Sequence, residues 1–258
     1  MRVALRRLRA VLSSFAPFLS AETRAQVSSK LRWLANTLGE ARNLDVFALE
    51  LLAPTRATLP ASSEMARLSI AIERQRDLAH ETVRQALASR DYKASVREAT
   101  RWFNERCWRT EPDADQLDLP IDQLAPRMLE PHFRRAKKLS VGFTLQSEDE
   151  RHSLRIALKK LRYSVELLGT LYDEKCVRRF ISQLKHLQND LGKINDLRVA
   201  RELIFDLVGP GTRKTGIALA GHQVLDWHLQ CLDATASALQ PSLAQLFRMG
   251  RFWPAPGA

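Results

Sequence analysis

The chain has 258 residues, 45% hydrophobic and 27% charged, which is typical of a globular protein with a core rather than a disordered segment. Its 40 lysine and arginine residues against 29 aspartate and glutamate residues give a net charge of +11, which favours nucleic acid, a phosphate polymer or a membrane surface as partner. Three widely spaced cysteines without a C-x-x-C pair argue against a disulfide framework and a zinc site.

Apolar residues at helical spacing predict a four-helix unit in the first half of the chain. We place these helices at about residues 2–19, 22–52, 62–88 and 91–108. Pro17 limits the first helix, and Pro54 and Pro60 mark the loop that follows the second. A basic segment at about residues 122–139 leads into the second half.

The second half repeats this organisation. We place helices at about residues 148–171, 174–207 and 212–239, with a short terminal piece at 243–249. Gly209-Pro210-Gly211 predicts a break. No stretch shows the sustained alternation of a half-buried strand, so the fold class is predicted to be all-α. No uncharged apolar run reaches about 18 residues, so we expect a soluble protein with no membrane partner. The cysteine pattern fits a reducing cytoplasm, where we expect the protein to be located.

The helix over residues 152–163 carries four cationic or ionisable side chains on one narrow face, at about 100° per residue. We call His152, Arg155, Lys159 and Arg162 the basic stripe. Apolar residues flank it on both sides: Leu154, Leu158, Leu161 and Val165 on one, Ile156, Tyr163 and Leu167 on the other. The side left for water carries Ser153, Ala157, Lys160 and Ser164. The basic stripe is therefore predicted to face inward.

Inward-facing cations need an anion, because a charge is costly to remove from water without a counter-charge. Acidic side chains of neighbouring helices are one source. Three cations and a histidine along about 15 Å of helix favour the other source, an external polyanion.

An internal repeat with a constant offset of 153 residues supports this interpretation. Met1–Arg9 aligns with Leu154–Arg162, and Leu31–Asp45 aligns with Leu184–Arg198 without a gap. We therefore predict one domain over residues 1–258, built of two repeats at about 1–142 and 148–258. The counterpart of His152 would precede Met1, so we expect a first repeat truncated at its N-terminus.

The repeat also pairs Gly39 with Gly192 inside the second helix of each copy. A glycine inside a helix costs about 0.5–1 kcal/mol relative to alanine. A helix crossing point explains the pair most simply, and space for a ligand is the alternative.

Catalytic motifs are not found. The sequence has no H-E-x-x-H, G-x-S-x-G, Walker A or G-x-G-x-x-G pattern. Asp45, Asp190 and Asp196 could suggest a metal-dependent phosphatase, but pairing with nearby Arg42, Lys193 and Arg198 is the simpler account. We predict no catalytic residues, no metal site and no cofactor. The aromatic residues follow core spacings rather than alternating with lysine and arginine, which argues against nucleic acid.

Four blocks in fixed order resemble the CHAD family of histidine-containing α-helical domains. They are H-x-x-R-x-x-x-K-K-L-R-Y at His152, its copy beginning at Arg2, and the L-G-x-x-x-[ND]-L blocks at Leu38 and Leu191. The resemblance implies two pseudo-symmetric four-helix bundles whose basic helices line a central groove or pore that binds inorganic polyphosphate. Some relatives associate with cytoplasmic polyphosphate granules, so the resemblance offers that location for this chain as well. Some relatives carry a triphosphatase domain with an E-x-E-x-K motif, which this sequence lacks.

Residue by residue, the resemblance marks eleven positions as polyphosphate-binding: Arg2, Arg6, Arg7, Arg9, Arg32, His152, Arg155, Lys159, Lys160, Arg162 and Lys185. The helical wheel places Arg7 and Lys160 away from the inward face. We predict non-catalytic polyphosphate binding. The alternatives are a phosphatase or kinase acting on polyphosphate or nucleotides, a nucleic-acid-binding domain, and a structural bundle with internal ion pairs.

Overall fold

A computed structural model of the protein describes residues 1–110, 114–143, 146–209 and 216–255. Within these ranges the regular elements are helical and no strand is present, which confirms the predicted all-α class. The α-helices are α1 (Arg2–Ser14), α2 (Ala21–Val46), α3 (Ala53–Thr58), α4 (Ser63–Ala88), α5 (Arg90–Asn104), α6 (Ile121–Ser140), α7 (Glu148–Leu168), α8 (Glu174–Val208) and α9 (Gly216–Arg248). No helix in the described ranges is long and apolar enough to cross a lipid bilayer.

Shorter helical segments connect several of these helices. They are 3-10 turns at Ala16–Phe18, Cys107–Thr110, Ala114–Asp118 and Gly169–Leu171, and a π-helical segment at Phe47–Leu52. α1 ends at Ser14, and Pro17 lies in the 3-10 turn that follows, as its fixed backbone angle predicts.

Pro54 does not mark a loop as the sequence predicts, and Pro241 lies inside a helix where a break was placed. Beyond residue 52 the backbone stays helical to Thr58, because Pro54 lies in the first turn of α3, where its missing N–H costs least. Pro241 lies inside α9, so the two helices predicted at 212–239 and 243–249 are one. Leu239 and Leu243 are buried on either side of Pro241. Residues 210–215, including part of the predicted break, lie outside the described ranges.

The chain forms two compact units. The first unit comprises residues 1–35, 93–191 and 238–258, and the second comprises residues 36–92 and 192–237. Each unit therefore contains residues from both predicted repeats. The repeat boundaries and the single domain remain predictions.

In the first unit, α7 packs along α6 and against α1. Leu154, Leu158, Leu161 and Val165 of α7 are fully buried there. An aromatic cluster around Phe133, Phe180 and Trp253 packs edge to face. The indole of Trp253 donates a hydrogen bond to Glu130 of α6 at 3.2 Å, which fixes the C-terminal segment to this unit.

The second unit has its own apolar core, with Phe47, Leu68, Ile72 and Val224 at its centre. Asp45 at the end of α2 accepts hydrogen bonds from Arg76, at 2.7 Å, and from His80, at 3.0 Å. Burial raises the pKa of Asp45, but these two bonds outweigh it and hold the pKa below its ordinary value. The carboxylate is therefore a structural anchor between α2 and α4.

The paired glycines do not mark a helix crossing. A Cβ atom added at Gly39 or at Gly192 would meet no atom within 4 Å, so neither position needs a missing side chain for close packing. Both residues lie inside continuous helices, α2 and α8. The crossing-point explanation from the sequence is therefore wrong, because helix packing leaves this face of both helices open.

Candidate anion-binding site

The start of α7 is fixed by local hydrogen bonds. Ser147 accepts a bond from the backbone N–H of Glu150 at 3.3 Å, and the Glu150 carboxylate accepts one from the backbone N–H of Ser147 at 2.8 Å. These reciprocal bonds form a capping box, and the acidic residues of the first turn complement the helix dipole. The bonds to Ser147 also lower the pKa of the Glu150 carboxyl. This cap fixes the start of α7, the helix that carries the basic stripe.

All four residues of the basic stripe are half-buried. They lie along the border between the fully buried leucine face of α7 and its open face. The open face is not the one predicted. Ala157 and Ser164 are buried, whereas Ile156 and Leu167 are each 42% exposed.

Packing of α1 explains this difference. The hydroxyl of Ser14 in α1 lies 2.7 Å from the hydroxyl of Ser164 in α7, and both side chains are buried. Small residues allow two helices to approach closely, so Ser164 forms part of the contact with α1 rather than facing water. The helices that carry the first blocks of the two repeats therefore pack against each other.

Arg162 has two close neighbours on its own helix. Its Nε lies 3.7 Å from Glu166 Oε1, which is an ion pair but too long for a hydrogen bond. Its guanidinium carbon lies 4.8 Å from the centre of the Tyr163 ring, within cation–π range. Among the described residues, the buried Nε has no hydrogen-bond acceptor. Internal ion pairing thus satisfies Arg162 only in part.

Arg151 extends the basic stripe, although it was not predicted from the sequence as a site residue. It lies one turn before Arg155, is half-buried, and places its guanidinium 5.5 Å from the centre of the buried Phe143 ring. Its buried Nε likewise finds no hydrogen-bond acceptor in the part of the chain that the structure describes. The i, i+4 spacing to Arg155 was the available signal, but the family motif begins at His152.

Lys160 is exposed, as the helical wheel predicts, yet its charge acts on α6. Burial and the positive charge of Lys160 together lower the pKa of His132 from 6.5 to about 4. At neutral pH this imidazole is uncharged, so it adds no positive charge to the basic surface of α7.

Lys185 lies on α8, which is bonded to α7. One turn after Lys185, the side-chain amide of buried Gln188 donates a hydrogen bond to the backbone carbonyl of Leu158 at 2.9 Å. Lys185 itself is exposed. The bond joins the second helix of one repeat to the helix of the basic stripe.

All eleven candidate residues belong to the first unit. Five are half-buried, namely Arg2, His152, Arg155, Lys159 and Arg162, and six are exposed, namely Arg6, Arg7, Arg9, Arg32, Lys160 and Lys185. The half-buried residues sit on α1 and α7, the two helices that pack together. A polyanion could be bound by the half-buried residues and surrounded by the exposed ones.

The carboxylates considered for metal chemistry lie in ion pairs or apart from one another. Asp45 pairs with Arg76 and His80 rather than with Arg42, and Asp190 pairs with His186 at 3.4 Å. In the described ranges, no three histidine, cysteine, aspartate or glutamate side chains converge as a metal site requires.

Comparison with known proteins gives one consistent match. The family model of the CHAD domain matches residues 1–204. The crystal structure of the CHAD domain from the plant Ricinus communis is similar, with a TM-score of 0.77 and 25% sequence identity, covering 98% of this chain and 82% of that one. PptA from Streptomyces chartreusis shares the fold, with a TM-score of 0.70 and 17% identity over 94% of this chain and 87% of its own. No curated protein has a detectably similar sequence.

Proposed function

Because the chain belongs to the CHAD family, we propose that it binds inorganic polyphosphate through the basic stripe and catalyses no reaction on it. The observation that carries this proposal is the row of half-buried cations along α7. In this row the Nε atoms of Arg151 and Arg162 are buried without a hydrogen-bond acceptor among the described residues. A buried donor without an acceptor is costly, and phosphate oxygens would supply the missing acceptors.

The spacing of these cations suits a linear polyanion. From Arg151 to Arg162 the helix rises by about 16 Å, with a cation or histidine on almost every turn. A flexible chain that carries a negative charge on each phosphate can follow such a row. A compact anion would contact only one or two of these residues.

Both repeats contribute to the proposed site. The packing of α1 on α7 joins Arg2 of the first repeat to the helix of the basic stripe in the second, and the Gln188 bond joins the helix of Lys185, also in the second repeat, to that helix. We propose that the repeats are two pseudo-symmetric four-helix bundles whose cations line one groove or pore. The predicted cytoplasmic and granule-associated location belongs to the same proposal.

Binding without turnover is the function that these residues support best. The sequence lacks the E-x-E-x-K motif of the triphosphatases, and Glu166, the carboxylate nearest to Arg162, is already in an ion pair. Polyphosphate should therefore remain intact after prolonged incubation with the protein and divalent cations. Release of phosphate would identify an enzyme instead.

The test is titration with long-chain polyphosphate at physiological salt, with single-stranded DNA as competitor. The variant Arg155→Ala/Lys159→Ala/Arg162→Ala should lose at least about a hundredfold in affinity, because each charged hydrogen bond contributes about 1.5–3 kcal/mol. The control Arg56→Ala/Arg67→Ala/Arg74→Ala removes the same charge from exposed positions of the second unit. It should lose only a few-fold.

Two results would contradict the proposal. Equal losses in both triple variants would reduce binding to general surface electrostatics. Equal affinity for DNA would indicate a polyanion site without preference for phosphate chains. Circular dichroism of each variant checks that the helices persist.

A further inference from the structure

A second group of cations lies on α6 and takes no part in the basic stripe. Between residues 127 and 138, every exposed side chain of α6 is a lysine or an arginine, except that of Pro131. We call these cations the α6 patch: Arg127, Arg134, Arg135, Lys137 and Lys138. From its first to its last residue the helix rises by about 16 Å, the same rise as from Arg151 to Arg162 on α7. The α6 patch is therefore as long as the row of cations on α7.

The α6 patch faces away from α7. Burial and the charge of Lys160 on α7 lower the pKa of His132 on α6, so His132 lies on the side of α6 that faces α7. All of the patch except Arg135 lies about 120–160° around α6 from His132. On α7, Lys160 in turn lies about 100° around the helix from Lys159 of the basic stripe. Two phosphate chains, one on the patch and one on the stripe, would therefore lie on different sides of this helix pair.

One buried carboxylate fixes the middle of the α6 patch. Glu130 accepts a hydrogen bond from Nε of Arg134 at 2.7 Å, and it pairs with Arg251 at 2.9 Å and accepts a bond from Trp253 at 3.2 Å. Burial raises the pKa of Glu130, but these three interactions outweigh it and hold the pKa below its ordinary value. Two guanidinium groups share this one negative charge, so a net positive charge is held at a fixed position. The Arg134 side chain is 73% exposed, which leaves its other N–H groups available to a ligand.

The other four cations of the α6 patch are not neutralised by the part of the chain that the structure describes. Arg127, Arg135, Lys137 and Lys138 form no ion pair there. Apart from Glu130, the carboxylate of α6 is that of Asp122, in the first turn of the helix. The patch therefore carries an excess of positive charge, which selects an anionic partner.

The composition of the α6 patch favours a phosphate chain over other anionic partners. No aromatic side chain of α6 is exposed, so the patch offers nothing on which nucleic-acid bases could stack. Protein interfaces have an apolar centre with few lysines, and helices on a membrane surface insert an apolar face. Between residues 127 and 138, Pro131 is the one exposed side chain without a charge. A phosphate chain needs only a row of cations.

We propose that the α6 patch is a second polyphosphate-binding surface, so that one protein molecule binds two phosphate chains and bridges them. This inference rests on the proposed binding of polyphosphate by the basic stripe and adds a second site to it. Because the two rows of cations lie on different sides of the helix pair, long chains would be cross-linked by the protein.

The first test counts bound chains by isothermal titration at low salt, with polyphosphate just long enough to follow one row of cations. The unchanged protein should bind two chains. Arg127→Ala/Lys137→Ala/Lys138→Ala should bind one, and the triple variant of the basic stripe should also bind one. The α6 variant keeps Arg134 and its bond to Glu130, and circular dichroism checks that its helices persist. The triple variant of exposed arginines in the second unit is the control and should still bind two.

The second test measures bridging by light scattering with long-chain polyphosphate. The unchanged protein and the second-unit control should raise the scattering as chains are cross-linked. The α6 variant should bring it down to nearly the level of polyphosphate alone, although the same number of charges is removed in the control.

The second site is overturned if the unchanged protein binds one chain, if the α6 variant still binds two or still bridges, or if the second-unit control loses a chain as well. A single chain that the stripe variant loses and the α6 variant keeps would leave the proposed function of the basic stripe intact. A protein that binds no chain would overturn both.

Discussion

Arg162 is held in place by neighbours that do not satisfy its hydrogen-bond donors. The Tyr163 ring orients its guanidinium at 4.8 Å, and Glu166 attracts it at 3.7 Å without a hydrogen bond. A guanidinium has five N–H donors, so most of them remain available to phosphate oxygens. Glu166 then competes with an incoming anion for the same cation.

Replacing Glu166 distinguishes a binding cation from a structural ion pair. Glu166→Gln should tighten polyphosphate binding about two- to fivefold, because a partly exposed pair contributes about 0.2–1 kcal/mol and its loss releases Arg162. Glu174→Gln, which removes the same charge from the exposed pair with Arg178 on α8, is the control. Isothermal titration of both variants measures the difference. Weaker binding by Glu166→Gln, or the same gain in Glu174→Gln, would contradict a competing role.

His132 makes the free energy of unfolding depend on pH. Its pKa is about 4 in the folded protein and near its ordinary value of 6.5 when unfolded, so the unfolded chain binds more protons between these values. The free energy of unfolding should therefore fall as pH decreases from 6.5 towards 4, by at most about 3 kcal/mol. Urea denaturation of the unchanged chain and of His132→Gln at several pH values measures this, and the variant should lose most of the slope. Identical slopes would contradict the assignment to His132.

At the scale of a helix, Gly39 and Gly192 leave room that a side chain could occupy. A Cβ atom at either position meets nothing within 4 Å, and neither residue has a positive φ. Gly39→Ala and Gly192→Ala should therefore each raise the free energy of unfolding by about 0.5–1 kcal/mol. Gly221→Ala should instead lower it, because its Cβ would lie 2.6 Å from the Ile204 side chain. Urea denaturation compares the three.

The same alanine variants test whether the glycines serve the ligand. If polyphosphate uses the open face of these helices, binding should weaken although stability rises. Unchanged affinity would indicate that the repeated glycine has no role in binding. A fall in stability in Gly39→Ala or Gly192→Ala would show that the helices need the glycine for another reason.

Helix starts were predictable from the sequence because their causes are local. Ser62 caps α4, and Ser147 and Glu150 cap α7, with hydrogen bonds that span three residues. Helix interruptions at prolines were not predictable from the sequence, because packing decides whether a proline ends a helix. Pro241 lies within α9, between the buried side chains of Leu239 and Leu243.

For the site, too, features that one helix determines were predictable, and features that depend on packing were not. The 3.6-residue period identified the basic stripe, since periodicity is a property of one helix. The period could not tell which of the remaining faces is open, since that depends on the helix packed beside it. Ala157 and Ser164 are not strongly apolar, so the pattern assigns them to water, whereas both are buried and Ser164 contacts Ser14 of α1. Arg151 was missed because it precedes the repeated block.

For the whole molecule, the question is whether a net charge of +11 or a defined set of cations binds the polyanion. A diffuse charge attracts any polyanion and steers its approach, with an effect that depends on the total charge. When a polyanion binds to a defined site, the number of counterions released is fixed by the number of phosphates that the site neutralises. All eleven candidate residues lie in the first unit, so the second unit supplies matched cations outside the proposed site.

The salt dependence of polyphosphate affinity separates these two cases. For a flexible single-stranded polyanion, the slope of log K against log salt concentration changes by about 0.7 for each cation that contacts it. Arg155→Ala/Lys159→Ala/Arg162→Ala should therefore reduce the slope by about 2. Arg56→Ala/Arg67→Ala/Arg74→Ala should leave it nearly unchanged, because those side chains contact no phosphate. Equal reductions in the two variants would mean that polyphosphate covers both units, and the site would then have to be redrawn over the whole basic surface.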